Sequence, residues 1–215
     1  SFIKVLGKNP CSVFIGINTL FVALLNNAQF RRLDFSALKL TFSGGMALTE
    51  AAATRWEMVT GCPVLEGYGL TETSPVLTIN PSEQIKLGTI GIPVANTAIR
   101  IVDENGIEQP TGVAGELCAQ GPQVMKGYWQ REEATRETIV DGWLHTGDIA
   151  VVDDDGFIRI VDRKKDMIII SGFNVYPNEI ENVMSAHPDI IECADIGVPG
   201  VERGEAIKLF VVSRS

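Results

Sequence analysis

The stretch Leu65-Glu66-Gly67-Tyr68-Gly69-Leu70-Thr71-Glu72-Thr73 decides the fold prediction for this chain. It continues a short apolar run, Cys62–Leu65, that is typical of a buried strand. Its two glycines let the chain turn where a side chain would obstruct a ligand or another backbone. At the mouth of such a strand, Tyr68 offers a ring for stacking, Thr71 a hydroxyl donor and Glu72 a carboxylate that suits Mg²⁺. Taken alone, so short a motif favours a purely structural role.

The residues before this stretch alternate between strand and helix patterns. Ser12–Ile17 and Leu38–Phe42 are apolar runs of strand length, and Thr19–Asn27 has the composition of a mostly buried helix. A second helix is predicted over Thr49–Thr60, with its first residue as the cap and Gly61 as a left-handed stop. This alternation predicts an α/β layer whose strand ends are suited to ligand binding.

After about residue 88 the helical period disappears, and short strands alternate with turns. Asp103–Gly106 and Asp153–Gly156 each lie between apolar strands and end in a glycine, which predicts two hairpin turns. A calcium loop at the second turn is the alternative, but the bidentate acid expected at the end of such a loop is missing.

The charge cluster Asp162–Asp166 lies between two apolar strands, and we predict a turn or a linker there because strands seldom run through five charges. A strand over Met167–Ile170, a glycine turn over Ser171–Asn174 and a helix begun by Pro177 follow. The residues predicted to face inward from that helix are Ile180, Val183 and Met184. Two more strands are predicted near 191–198 and 206–212.

Composition excludes several classes of protein. The 215 residues are 45% hydrophobic and 21% charged, with a net charge of −9, which argues against a nucleic-acid backbone or an anionic bilayer as main partner. Four scattered cysteines predict neither disulfides nor a zinc site and fit a reducing compartment. No stretch approaches the ~20 apolar residues that span a bilayer. The chain begins without Met inside a helical pattern and ends beside a strand, so we expect an internal or C-terminal fragment of a longer protein.

Two charged residues of the later chain, Asp148 and Arg163, are candidates for binding. Asp148 follows a glycine and precedes a strand, where a carboxylate could accept hydrogen bonds from both hydroxyls of a ribose; a turn-capping aspartate is the alternative. Arg163 could pair with a ribose or phosphate, against the default of a solvated charge. His145 has no nucleophile motif around it, so we interpret it as structural or as pocket lining.

The order and spacing of these pieces resemble the core motifs of the adenylate-forming enzymes, which include acyl-CoA synthetases, luciferases and peptide-synthetase adenylation domains. The motifs are, in chain order, Gly44-Gly45-Met46, Tyr68-Gly69-Leu70-Thr71-Glu72, Thr146-Gly147-Asp148, Asp162-Arg163-x-Lys165-Asp166 and Ser171-Gly172-Phe173-Asn174. The resemblance covers essentially the whole chain. Within the superfamily, the chain resembles the bacterial long-chain fatty-acid–CoA ligases in three stretches, Asn18–Phe21, Leu65–Gly69 and Ser171–Glu181.

The resemblance implies a role for each matching residue. The adenine site would be lined by Gly44, Gly45, Met46, Glu66, Gly67 and Tyr68. Thr71 would contact the phosphates and Glu72 would carry Mg²⁺, while Asp148 and Arg163 would bind the ribose. Lys165 would be the hinge of a rotating C-terminal domain, and Gly172 would lie beside the pantetheine arm of CoA.

Short-acyl relatives carry a tryptophan at the position of Gly69, so the resemblance also implies room for a long acyl tail. The implied substrates and cofactors are a long-chain fatty acid, ATP with Mg²⁺, and coenzyme A. The implied location is cytoplasmic, with peripheral association with the inner face of the cytoplasmic membrane and a homodimer left open.

The resemblance implies an α/β plus β-barrel fold. Residues 1–87 would be the α/β part of the AMP-binding domain, 88–162 a distorted β-barrel, and 163–215 the beginning of a small α+β C-terminal domain. The family's phosphate-loop lysine and its C-terminal lysine have no counterpart here, so we expect this polypeptide alone to make no acyl-adenylate. Two alternatives stay open: a fatty acyl-AMP ligase that loads a carrier protein, and a non-catalytic adenylate-binding module.

Overall fold

The structure is a computed structural model that describes residues 2–185, 187, 189–200 and 204–213. Its helices are α1 (Phe2–Lys8), α2 (Asn18–Leu25), α3 (Glu50–Thr60), α4 (Glu132–Thr138) and α5 (Pro177–Ser185), with 3₁₀ turns at Phe30–Arg32 and Thr71–Thr73. Its strands are β1 (Val13–Gly16), β2 (Leu40–Ser43), β3 (Val64–Gly69), β4 (Val76–Ile79), β5 (Ile92–Pro93), β6 (Ala98–Val102), β7 (Gly115–Gln120), β8 (Ile139–Val140), β9 (Trp143–Val152), β10 (Ile158–Arg163), β11 (Ile168–Ile170), β12 (Phe173–Val175), β13 (Ile190–Gly200) and β14 (Gly204–Ser213).

The described chain forms two compact units. The first comprises residues up to 99, 119–144 and 153–159, and the second comprises 100–118, 145–152 and the residues from 160 onward. The first unit contains a five-stranded sheet in the order β1-β2-β3-β4-β5. The strands β1, β2 and β3 are parallel, and β4 and β5 extend the sheet in antiparallel fashion. The predicted α/β alternation is therefore confirmed.

An aromatic cluster holds α2 and α3 against this sheet. Trp56 of α3 is fully buried, and its ring centroid lies 5.0 Å from that of Phe14 in β1 and 4.7 Å from that of Phe21 in α2. The indole Nε1–H donates a 3.1 Å hydrogen bond to Oγ1 of Thr41 in β2, so the one polar atom of the ring is satisfied. Burial of such large rings supplies much of the stability of a small domain.

The ends of α3 are the ones that the sequence predicts. Oγ1 of Thr49 accepts a 3.3 Å hydrogen bond from the backbone N–H of Ala52, which satisfies one of the free donors of the first turn. Gly61 ends the helix at φ 71°, and its N–H donates to the carbonyl of Glu57 at 2.8 Å.

The first strand leaves one apolar face uncovered. Successive side chains of a strand point to opposite faces, so Phe14 enters the core while Val13 and Ile15 point away from it. Val13 is 44% and Ile15 73% exposed. The strand is also at the edge of its sheet.

The strand pattern predicted after residue 88 is present as a second sheet with the path β10-β9-β7-β6, in which β8 pairs with β9. Both predicted acidic turns are confirmed. Oδ1 of Asp103 accepts from the N–H groups of Asn105 and Ile107 at 2.9 and 2.8 Å. Oδ1 of Asp153 accepts in the same way from two residues of its own turn. Closure of these strands into a barrel stays a prediction.

A third, antiparallel sheet in the second unit has the order β12-β11-β14-β13, and α5 packs against β13. The predicted turn at Asp162–Asp166 is wrong at its start, because β10 continues through Arg163. A strand can carry Asp162 in the interior because the carboxylate accepts hydrogen bonds from the backbone N–H groups of Arg163 at 2.7 Å and Asn178 at 3.0 Å.

One inward residue of α5 is also predicted wrongly. Val183 is 74% exposed, whereas Ile180 and Met184, four positions apart, are half-buried. Residues four apart lie on one line of a helix, and contact with a single sheet covers only that narrow line. Pro188, which follows this helix, lies outside the described residues. No helix in the described part of the chain has the length and apolar character needed to cross a bilayer.

Candidate nucleotide site

Two predicted motifs meet at the carboxyl ends of β2 and β3. The strands are parallel, and Ser43 at the end of β2 lies opposite Glu66 in β3. The chain leaves β2 through Gly44 and Gly45, and the latter has φ 84°, which explains the need for a glycine. A Cβ at Gly44 would lie 3.4 Å from the carbonyl oxygen of Gly67, so the two glycine segments are close neighbours. Ligands of open α/β sheets bind at this edge.

Glu66 is a buried carboxyl group at this edge, with 7% of its surface exposed. Its Oε1 accepts a 3.2 Å hydrogen bond from the backbone N–H of Leu48, while its buried Oε2 has no hydrogen-bond partner among the described residues. Burial raises the pKa of Glu66 to about 7, and the bond from Leu48 opposes this only in part. Oε2 of Glu66 is therefore an unsatisfied polar atom beside the glycine turn, and a ligand bound there could donate a hydrogen bond to it.

Gly67 and Gly69 do not turn the chain as the sequence predicts, because β3 continues to Gly69. The prediction of close backbone approach is confirmed. A Cβ at Gly69 would lie 1.7 Å from the carbonyl oxygen of Pro75, and one at Gly67 would lie 3.2 Å from that of Thr78. The space beside Gly69 is thus filled by the protein's own backbone, and this glycine gives no evidence of room for an acyl tail.

The turn that follows β3 presents the predicted phosphate and metal residues. Thr71 is exposed and Glu72 is half-buried. The phenol of Tyr128 donates a 2.8 Å hydrogen bond to Oε1 of Glu72, and the N–H of Met125 donates a 2.8 Å bond to the Glu72 carbonyl. Because the phenolic proton is held by a carboxylate, the pKa of Tyr128 is raised. Sequence reasoning missed Tyr128 entirely.

This arrangement fits a magnesium ion that arrives with a nucleotide. In the described ranges, His, Cys, Asp and Glu side chains form no group of three or more that could hold a metal by themselves. Magnesium in nucleotide sites needs only one or two carboxylates, because phosphate oxygens and water supply the other ligands. Glu72, with one oxygen held by Tyr128, is suited to that role.

The second unit contains the other predicted polar residues. Asp148 lies within β9 next to Gly147, which has a φ of 75°. Nε of Arg163, at the end of β10, is 3.8 Å from Oδ1 of Asp148. The carboxylate side chain is 15% exposed and the arginine side chain 65%. The structure therefore places these two predicted ribose residues side by side.

Lys165 and Gly172 occupy two turns of the second unit. Lys165 is exposed in the turn between β10 and β11. Gly172, together with Ser171, forms the tight connection between β11 and β12, with φ values of 83° and 52°. A Cβ at Gly172 would meet no atom within 4 Å, so the backbone conformation and not crowding favours glycine there.

A Glu–His–Cys arrangement near Asp148 has the composition of a nucleophilic site but not its chemistry. Nδ1 of His145 is 3.1 Å from Oε2 of Glu116 and 3.4 Å from Sγ of Cys118. Burial, reinforced by the nearby Glu116 carboxylate, raises the pKa of the Cys118 thiol to about 11. A buried, protonated thiol is a poor nucleophile, which agrees with the interpretation of His145 as structural.

Comparison with known proteins gives a consistent result. A family model described as AMP-binding enzyme matches residues 1–129, and one described as AMP-binding enzyme C-terminal domain matches residues 179–215. The chain is 55% identical over 213 residues to a long-chain-fatty-acid–CoA ligase of Escherichia coli O6:H1, and 56% identical over 213 residues to one of Salmonella typhimurium. The ATP-bound crystal structure of MatB from Rhodopseudomonas palustris is 35% identical and superposes with a TM-score of 0.87.

These matches include almost all of this chain but less than half of each relative. The alignments cover 99% of this chain, 38% of each of the two ligases and 42% of the MatB chain.

Proposed function

The chain belongs to the AMP-binding enzyme family, and from this premise we propose that it is part of an ATP-dependent long-chain fatty-acid–CoA ligase. The main support is the identity of 55% to a long-chain-fatty-acid–CoA ligase along 99% of the chain. The reaction is fatty acid + ATP + CoA to acyl-CoA + AMP + pyrophosphate. Because the chain spans 38% of that relative's length, we assign the reaction to the complete protein and expect the 215 residues alone to be inactive.

The chemistry has two steps, in both of which the nucleotide phosphate is central. A fatty carboxylate oxygen attacks the α-phosphorus of ATP, the bond to pyrophosphate breaks, and an acyl-adenylate forms. The CoA thiolate then attacks the acyl carbonyl carbon, and AMP leaves with the electron pair of the broken C–O bond. Groups that hold the nucleotide and neutralise charge at its phosphate accelerate such steps.

In the first unit we assign the adenine ring to the carboxyl ends of β2 and β3. The residues of this site are Gly44, Gly45, Met46, Glu66, Gly67 and Tyr68. The partly buried Tyr68 ring is suited to stacking on the base. The orphaned Oε2 of Glu66 is suited to an N–H of the base, because a buried acceptor without a donor is unfavourable.

Thr71 and Glu72 are assigned to the phosphate end of the nucleotide. The exposed hydroxyl of Thr71 can donate to a phosphate oxygen, and Glu72 would hold Mg²⁺. When bound, the ion supplies Lewis-acid stabilisation of charge on the phosphates. In the second unit, the adjacent Asp148 and Arg163 are assigned to the ribose hydroxyls.

We also propose a division into an α/β part (1–87), a distorted β-barrel (88–162) and the beginning of a small C-terminal domain (163–215), with Lys165 as hinge. The match of residues 179–215 to the C-terminal domain family supports the last boundary. Rotation about such a hinge would let one site serve both steps, with Gly172 beside the pantetheine arm of CoA.

Binding of a non-hydrolysable dodecanoyl-adenylate analogue to the 215-residue chain tests the nucleotide assignments. At about 100 times its Kd, such a ligand stabilises the folded chain by about 2.7 kcal/mol, which is visible as a higher melting temperature. Tyr68→Ala and Asp148→Asn should each reduce this shift. A chain that is not stabilised by the analogue, or variants that bind as the parent does, would contradict the assignments. Acyl-CoA formation by the complete protein with dodecanoate and with acetate tests the substrate class.

A further inference from the structure

Glu116 of β7 is a buried carboxylate with an unusual number of partners. Its side chain is 8% exposed. Oε2 is 2.8 Å from Nζ of Lys164 and 3.1 Å from Nδ1 of His145, and Oε1 accepts a 3.1 Å hydrogen bond from the backbone N–H of Gly147. Both carboxylate oxygens are therefore used, by groups from two other segments of the chain.

The same two segments also bind one another. The backbone N–H of Lys164 donates a 2.8 Å hydrogen bond to the carbonyl of Gly147. Gly147 has φ 75°, a conformation in which glycine is favoured, and nothing crowds the position of its missing Cβ. Glu116 thus contacts both peptide segments, Gly147 by its N–H and Lys164 by its side chain.

Glu116 keeps its negative charge although its side chain is buried. Burial by itself would raise the pKa of Glu116, but the hydrogen bonds from Lys164 and His145 outweigh it and hold the pKa below its ordinary value. A buried carboxylate that keeps its charge and has several donors is held firmly, since removing any donor leaves charge uncompensated.

The partners of Glu116 are the direct sequence neighbours of the proposed ribose pair. Gly147 precedes Asp148, and Lys164 follows Arg163. We propose that Glu116 is a positioning residue that, by holding Gly147 and Lys164, sets the separation of Asp148 and Arg163 for a ribose. This inference rests on the proposed function, since it concerns the nucleotide site assigned there.

A purely structural role for Glu116 makes a different prediction from a positioning role. Loss of a structural carboxylate lowers the melting temperature and weakens every ligand equally. Loss of a positioning carboxylate reduces the contribution of the ribose hydroxyls in particular. Calorimetry distinguishes the two roles. The affinities of the 215-residue chain for AMP and for 2′,3′-dideoxy-AMP are measured well below the melting temperature of each variant.

We expect the parent chain to bind AMP about tenfold or more tighter than the dideoxy analogue, as for hydrogen bonds to a charged group. Glu116→Gln puts an amide N–H₂ against the donors around it, and should reduce that preference to less than about threefold. Glu104→Gln removes a carboxylate from an exposed turn of the same unit and should leave the preference unchanged. A Glu116→Gln chain that keeps the parent preference overturns the proposal.

Hydrogen exchange in the ligand-free chain gives a second, independent test. The amide of Lys164 should exchange at least about tenfold faster in Glu116→Gln, while the amides of β13 stay as in the parent. Unchanged exchange at Lys164 overturns the positioning role. If the parent chain does not distinguish AMP from its dideoxy analogue, the ribose assignment of the proposed function is wrong, and exchange at Lys164 then decides whether Glu116 positions its neighbours.

Discussion

The phenol of Tyr128 donates a 2.8 Å hydrogen bond to Oε1 of Glu72, which lies 56 positions earlier in the chain. Glu72 is the carboxylate that we assign to Mg²⁺. Partners of metal-ligating carboxylates fix the orientation of the ligand, and their loss typically weakens metal binding 10–100-fold. Tyr128 is therefore expected to influence the metal without touching it.

Tyr128→Phe removes only the hydroxyl that orients Glu72. In the complete protein we expect this change to raise the Mg²⁺ concentration for half-maximal adenylation roughly tenfold, with little change in the KM for the fatty acid. A magnesium titration of pyrophosphate exchange measures the effect. Tyr176→Phe, the same change in the other unit, is the matched control. An unaltered magnesium requirement in Tyr128→Phe would count against the assignment of Glu72.

Glu66 should make stability depend on pH in a characteristic direction. Its pKa is about 7 when folded and 4.5 as an ordinary glutamate, so between these pH values the folded chain binds more protons than the unfolded chain. The contribution of Glu66 to stability is therefore largest below pH 4.5 and falls as pH rises to 7, by on the order of 3 kcal/mol in total.

Glu66→Gln removes that titration, so a comparison of this variant with the parent isolates the contribution of Glu66 to stability. From pH 5 to 7, the free energy of unfolding of the parent should fall relative to that of Glu66→Gln. From pH 7.5 to 9, the difference between the two free energies should be constant. Urea unfolding at each pH gives the two free energies. A difference that does not vary with pH would show that Glu66 ionises as an exposed glutamate does.

Gly69→Ala should destabilise the chain strongly, because its Cβ would lie 1.7 Å from the Pro75 carbonyl oxygen and neither backbone can yield without disturbing the β3–β4 pairing. We expect a loss of about 2 kcal/mol or more in the free energy of unfolding. Gly44→Ala, whose Cβ would make an ordinary 3.4 Å contact, is the control. Equal urea midpoints for the two variants would mean that the strands separate easily here.

Cys118 should resist alkylation in the folded chain, because its thiol is buried and has a pKa of about 11. With iodoacetamide at pH 8, the partly exposed Cys11 and Cys193 should be modified first. Peptide mass spectrometry after a short reaction identifies the labelled residues. Early labelling of Cys118 would mean that the packing around His145 opens or that the thiol is more acidic than its surroundings imply.

The features that were predictable from sequence are those fixed by neighbouring residues. The Thr49 cap, the Gly61 stop and the aspartate turns at Asp103 and Asp153 each depend on groups within about four positions. The grouping of Gly44 with Glu66 was implied by the family resemblance, and the parallel pairing of β2 with β3, which brings their carboxyl ends to one edge, accounts for it.

The residues that sequence reasoning missed act over long separations. Tyr128 reaches Glu72 across 56 positions, and Lys164 reaches Glu116 across 48. No local pattern encodes such pairs. A signal was nonetheless present, since Glu116 is a charge within the otherwise apolar strand Gly115–Ala119 and a buried charge needs a partner. The same reasoning would have placed Asp162 in a strand.

The uncovered face of β1 has a consequence for handling the protein. A strand at the edge of its sheet, with Val13 and Ile15 exposed, is a template onto which another molecule can add a strand. Solutions of the 215-residue chain should therefore self-associate as concentration rises, and sulfate should promote this by strengthening apolar contact. Ile15→Lys, on the exposed side of the strand, should keep the chain dispersed in light scattering.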